Sequence, residues 1–326
     1  MVILMHSPSP DSGLDGVSYH ILDMFSQPCI GLFFMVSGAL LLPTRLPYFD
    51  FIKRRLSKVL CPTIVFSILT LALLYNEIRL DFFVKSVFSL PFATYKAGIL
   101  WFMYPLIGMY LLAPVISPFL EKVGKKELQV LLAFWLVTLC WNPLQLVLNV
   151  DTSEENILHV FSGYGGYFLL GYYLKKFPPS KRNMKIILPV LFVVPWCMDA
   201  ANKIFDWGVS KYDYFWYLSI FCVMQCVAWF LLIREFIPAL KLTDKTRKIL
   251  LSFSNCSFGI YLMHRIIMQR VVWNIDYLHG LHPYINILVI FALTLIISWG
   301  ITWTISNIRG SKYIVGFKYN NCASIS

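Results

Sequence analysis

The stretch Phe51-Ile-Lys-Arg-Arg-Leu-Ser-Lys58-Val-Leu-Cys-Pro62-Thr-Ile-Val-Phe-Ser-Ile-Leu-Thr-Leu-Ala-Leu-Leu74 decides the fold. Its opening is basic and the run that follows it carries no charge. At ~1.5 Å per residue, such a run approaches the roughly 30 Å of a bilayer's hydrocarbon. The positive head marks the side on which the span begins, because Lys and Arg gather in cytoplasmic loops.

The same alternation recurs outward in both directions. Apolar segments predict full helices near 22–43, 59–76, 98–118, 128–149, 157–174, 185–200, 215–233, 249–268 and 284–305. Met1-Val-Ile-Leu-Met-His6 adds a stub that reads as the last two turns of a tenth helix, and it lacks the basic start and length of a cleavable signal peptide. The fold class is therefore all-α: a polytopic transmembrane helical bundle of about nine full spans plus an N-terminal remnant. The domain reading is a membrane domain over 1–310 and a short cytoplasmic tail over 311–326.

Composition agrees. The chain is 58% hydrophobic and 14% charged, with a mean hydropathy of +0.66. That is far from a soluble globular average. The net charge of +11 sits in short loops, so it marks topology and not nucleic acid. The loops around Arg45 to Lys58, Lys122 to Lys126, Lys175 to Lys185, Arg234 to Lys248 and Arg309 to Lys318 hold most of the 28 Lys and Arg. The alternate loops hold Arg79, Lys85, Lys96, Lys203, Lys211, Arg265 and Arg270, together with the acids Asp11, Asp15, Asp151, Glu154 and Glu155. The first set is expected in the cytoplasm of a cell (inner or plasma) membrane protein, with the C-terminus. Membrane lipids are its solvent.

Ionisable side chains at membrane depth are costly and mark candidate sites. His6 ends the stub. His264 lies late in a helix running outward. Topology places both toward the external face, and a near-neutral imidazole suits removal of a hydroxyl proton. The plainer reading of either alone is a hydrogen-bonded histidine near a helix end. Arg54, Arg55 and Lys58 form a group that would grip phosphates of a nucleotide-like donor; topology and anionic headgroups are the plainer reading. Ser37, in Gly31-Leu-Phe-Phe-Met-Val-Ser37-Gly38, reads first as helix packing. His279 and His282 have weak metal spacing, and none of the 8 Cys falls in a zinc or CxxC pattern. No metal is expected. Cys222 and Cys226 share a helix face and read as apolar filling.

Taken together, Ile3-Leu-Met-His6-Ser7, Gly31 to Gly38, Lys53-Arg-Arg-Leu-Ser-Lys58 to Pro62, Leu100-Trp-Phe-Met-Tyr-Pro-Leu-Ile-Gly-Met-Tyr110-Leu-Leu-Ala-Pro114 and Ser257-Phe-Gly-Ile-Tyr-Leu-Met-His264 resemble the acyltransferase 3 family of integral membrane acyltransferases. The short, single-domain O-acetyltransferase type is the nearest form. The resemblance implies that His6 is the catalytic histidine, and that its usual basic partner would lie before Met1. It implies that Arg55-Leu-Ser-Lys58 is the donor-linked basic element, with Lys in place of a final Arg. It implies that His264 matches a histidine common in the short type.

The implied function is transfer of an acyl group, acetyl first among candidates, from cytosolic acyl-CoA to a hydroxyl of an envelope polysaccharide, glycolipid or lipid-linked saccharide. His6 and His264 are the catalytic candidates, Arg54, Arg55 and Lys58 the donor-binding ones, and Ser37 and Tyr110 the hydrogen-bonding supports. Direct transfer and an acyl-histidine intermediate both stay open. The alternatives are a transporter or flippase, and an inactive, truncated family member.

Overall fold

A computed structural model describes residues 1–8, 13, 15–74, 80–90, 92, 98–140 and 157–317. Asp11, Arg79, Lys96, Asp151, Glu154, Glu155, Lys318 and the end of the expected 128–149 helix lie outside the described residues. What is described is helical, without a strand. The helices are α1 (Val2–His6), α2 (Gly16–Ser26), α3 (Cys29–Leu41), α4 (Tyr48–Leu74), α5 (Leu80–Ser89), α6 (Met103–Lys122), α7 (Lys125–Leu139), α8 (Gly165–Lys176), α9 (Lys181–Ile204), α10 (Ile220–Ala239), α11 (Asp244–Arg270) and α12 (Pro283–Ser306).

Five segments among them are long and apolar enough to cross a membrane: Gly16–Leu41, Tyr48–Leu74, Gly98–Lys122, Lys181–Ile204 and Pro283–Ser306. Helices also occupy the other expected places, but α8 has only 12 residues, and α11 opens on a charged turn. Expectation and structure differ in four places for physical reasons. The first span is broken at Gln27-Pro28, where proline offers no N–H to continue the ladder. α4 begins eleven residues before its apolar run, because Lys, Arg and Leu are good helix formers. α8 starts late, after a short 3-10 turn over His159–Phe161. The amphipathic α5 was not expected, being too short and too polar to register as a span.

The chain divides into two compact units. Unit 1 is Met1–Ser26, Leu46–Leu111 and Leu242–Ser326; unit 2 is Gln27–Arg45 and Leu112–Lys241.

Unit 2 is organised on the pairing of α3 with α8. A side chain on Gly38 would meet the Phe168 carbonyl oxygen at 1.8 Å, and one on Gly171 would meet that of Met35 at 1.9 Å. The backbones thus touch where both helices carry glycine, as expected where packing and not hydrophobic exclusion joins helices in lipid. Arg234 on α10 donates to the Leu174 carbonyl (2.6 Å), satisfying one of the free acceptors at the end of α8.

Unit 1 is built on α11. It starts from a Thr243 cap whose hydroxyl accepts from the Thr246 N–H (3.3 Å). α11 packs on α12, α4 and α1. Ile3, Cys256, Ile260, Met268, Val272, Leu278 and Ile290 form its buried apolar cluster.

Two ties set the direction of α4 against α11. Gly316, at φ +84°, lies where a side chain would strike both the Phe258 ring (2.5 Å) and the Lys58 carbonyl oxygen (3.0 Å). At the other end the Arg270 guanidinium donates to the Leu73 carbonyl, from Nε at 2.6 Å. Both pairs ascend, so the helices run parallel. The residues after α12 belong to this packing: Ser311 and Val315 are buried, and the turn at Ser311–Tyr313 lies on α4.

Candidate active site

α11 and α1 bring His264 and His6 together. Their ring centroids are 5.9 Å apart and nearly parallel, at 27°. Two residues separated by most of the chain therefore share one place in unit 1. α1 is held there by packing against α2, α11 and α12. Ser7, fully buried, ends α1 by donating its hydroxyl to the Ile3 carbonyl (2.8 Å).

The protonation pattern of His264 follows from its partner. Nδ1 lies 2.5 Å from the Tyr261 carbonyl oxygen. A carbonyl only accepts, so Nδ1 carries the proton, and in the neutral ring Nε2 keeps its lone pair. That Nε2 is buried and has no hydrogen-bond partner among the described residues. A buried orphan nitrogen of this kind costs stability and calls for an explanation. Tyr261 is itself fixed: its hydroxyl donates to the Ile99 carbonyl (2.7 Å), and its ring packs against Phe102 (centroids 5.0 Å) and His264 (5.6 Å). His6 is the half-buried member of the pair and His264 the fully buried one.

Arg265 follows directly and sets a positive charge beside the pair, acting electrostatically on both rings. Its guanidinium stands over the Trp273 indole, 5.0 Å from the ring centroid. Sequence reasoning counted Arg265 only as a loop charge, and gave Tyr261 and Trp273 no role. The available signal was position: Tyr261 precedes His264 by three residues, one helical turn, so its carbonyl faces that side chain.

Arg54, Arg55 and Lys58 are exposed on the first half of α4. Arg55 also leans over the Phe51 ring, at 6.0 Å. The structure does not bring these three to the histidines. Lys58 stands level with Phe258, six residues before His264, so it lies ~9 Å below the pair along the helix axis and Arg54 about 15 Å below. Tyr110 is buried on α6. Ser37 belongs to unit 2, buried on α3 one residue from the tight Gly38 contact.

Among the described residues no group of three or more His, Cys, Asp or Glu side chains could hold a metal ion. His279 has its Nε2 3.1 Å from the Trp273 carbonyl oxygen, and His282 stacks near Tyr284 (5.3 Å).

An apolar multi-helix protein with a paired-histidine centre is the class that fold and site define. The sequence pattern of the family described as an acyltransferase domain, acyltransferase 3, matches residues 1–303, and the chain belongs to that family. It is thus a membrane acyltransferase by membership. No curated protein and no solved structure matches the chain.

Proposed function

We propose that this protein moves an acyl group, acetyl in the first instance, from acyl-CoA on the cytoplasmic side to a hydroxyl of an envelope saccharide or glycolipid. The observation that carries the reading is the His6–His264 pair, with a tautomer that leaves a buried Nε2 lone pair unspent.

His6, the half-buried member, removes the proton from the acceptor hydroxyl. The oxygen attacks the thioester carbonyl, the carbon–sulfur bond breaks, and the departing CoA thiolate recovers that proton. His264 acts behind His6, its neutral ring stacked beside the positive charge that His6 gains. The logic is that of a base supported by a third group. Arg265 supplies positive charge for the oxyanion that forms on the thioester's carbonyl oxygen.

Arg54, Arg55 and Lys58 hold the donor's phosphates. Lys serves there as a point charge, without the forked geometry of Arg. Their offset of ~9–15 Å along the axis from the histidines suits an elongated donor whose anchoring phosphates and reacting thioester are at opposite ends.

The test is a charge series on α4. Replacing Arg54, Arg55 and Lys58 by Ala, singly and together, is expected to raise the KM for acetyl-CoA at least tenfold in the triple variant, with kcat little changed. The effect should shrink as salt screens the charges. An unchanged KM would remove the basic element from donor binding. Movement of unmodified lipid or sugar across vesicles, with no acyl-CoA consumed, would instead support a transporter.

A further inference from the structure

On the other side of α1 from the histidine pair, unit 1 carries a groove of about 380 Å³. Its walls are Leu4 of α1, Ile21 and Leu22 of α2, and Ile287 and Leu288 of α12. The groove is apolar along these walls and polar at one rim, where Ser18 and Tyr284 also line it.

That rim is a hydrogen-bonded cluster. Asp15 accepts from the Ser18 N–H (2.8 Å) through Oδ1, capping α2, and from the Ser18 hydroxyl (2.8 Å) through Oδ2. Tyr284 lies 2.6 Å from the Ser18 oxygen and donates to Asp15 Oδ2 at 3.2 Å. The two hydroxyl hydrogens are therefore spent within the cluster, on the carboxylate and across the short Ser18–Tyr284 contact. What the cluster offers outward is lone pairs. Such a rim accepts hydroxyl donors and repels phosphate, which has no hydrogen to give. The Ser18 hydrogen bonds also hold the Asp15 carboxyl below the usual carboxylate range, so it is ionised at neutral pH.

The groove and the histidine pair share their helices. α1 carries Leu4 in one and His6 in the other. On α2, Tyr19, beside Ser18, interacts electrostatically with Arg265. We propose that this groove binds the acceptor in lipid-linked form, with the hydrocarbon chain along the apolar walls and a saccharide hydroxyl on the Asp15–Ser18–Tyr284 rim. This rests on the acyltransferase reading and narrows its acceptor from any envelope glycan to an amphipathic one. The chemistry commits the occupant: a bare hydrocarbon would leave the rim unused, and an anionic phosphate headgroup would meet a carboxylate.

The test reads binding, so it is independent of transfer. The full chain in lipid nanodiscs is photolabelled with dodecyl glucoside bearing a diazirine on its chain, and labelled peptides are mapped. We expect label concentrated on the peptides holding Leu22 and Ile287. Unlabelled dodecyl glucoside should displace it at least fivefold better than dodecyl phosphate. Leu22→Trp or Ile287→Trp should abolish it. Asp15→Asn, which keeps a good helix cap, and Tyr284→Phe should each weaken glucoside competition at least fivefold. Label spread evenly over the lipid-facing helices, or equal competition by dodecyl phosphate, would overturn the proposal. Acyl transfer that persists alongside such a result would show that only the acceptor site was misplaced.

Discussion

At the scale of single residues, the two histidines carry different burdens. His6 is reachable and His264 is sealed, so we expect different tolerance to substitution. His6→Ala should lower transfer by at least ~100-fold, the usual worth of a positioned general base. His264→Ala should cost nearly as much, whereas His264→Gln, whose amide oxygen keeps an acceptor near the Nε2 position, should retain part of the rate. Initial rates in membranes of matched protein content would show this; an unimpaired His264→Ala variant would assign that histidine to packing.

The pairing itself was legible in the sequence, because span counting put both residues at one depth. Its detail was not. Which ring nitrogen carries the proton depends on the Tyr261 carbonyl, and a backbone acceptor leaves no mark in residue identity. Arg265 was hidden for a related reason: its charge counted toward topology, and only the structure places it over Trp273 beside the pair.

At the scale of elements, close approach of helices is the main constraint. Gly38 and Gly171 each leave no room for a β-carbon against the facing backbone. Gly38→Ala and Gly171→Ala should each destabilise unit 2 by about 1–3 kcal/mol, the usual cost of overpacking, and lower the detergent melting temperature. A melting point unchanged in both would contradict the observed α3–α8 contact. The Gly31 to Gly38 stretch announced packing in the sequence, but not its partner, since α8 lies more than a hundred residues away. Helix starts were read less well. The basic head of α4 looked like a loop because charge was taken as the end of a span, yet the helix runs through it without a break. α5 was missed because it is an amphipathic stretch of only ten residues that falls between two apolar runs.

At the scale of the whole molecule, the charge pattern makes a claim about sidedness. Cysteines introduced at Lys245 and Gly280, in an otherwise thiol-free chain, should differ in intact cells. The Gly280 thiol is expected to react with an impermeant maleimide, and the Lys245 thiol only after the membrane is opened. The reverse pattern would invert the orientation on which donor and acceptor were assigned. Family membership defines the chemistry in outline, and the histidine pair is where we propose that it takes place. The most direct measurement is transfer of labelled acetyl from acetyl-CoA to an envelope fraction by membranes bearing this chain or its His6→Ala variant. We expect label incorporated by the first and lost with the second. Equal incorporation by both, with both proteins present in the membrane, would contradict the assignment of the chemistry to His6 and its partner.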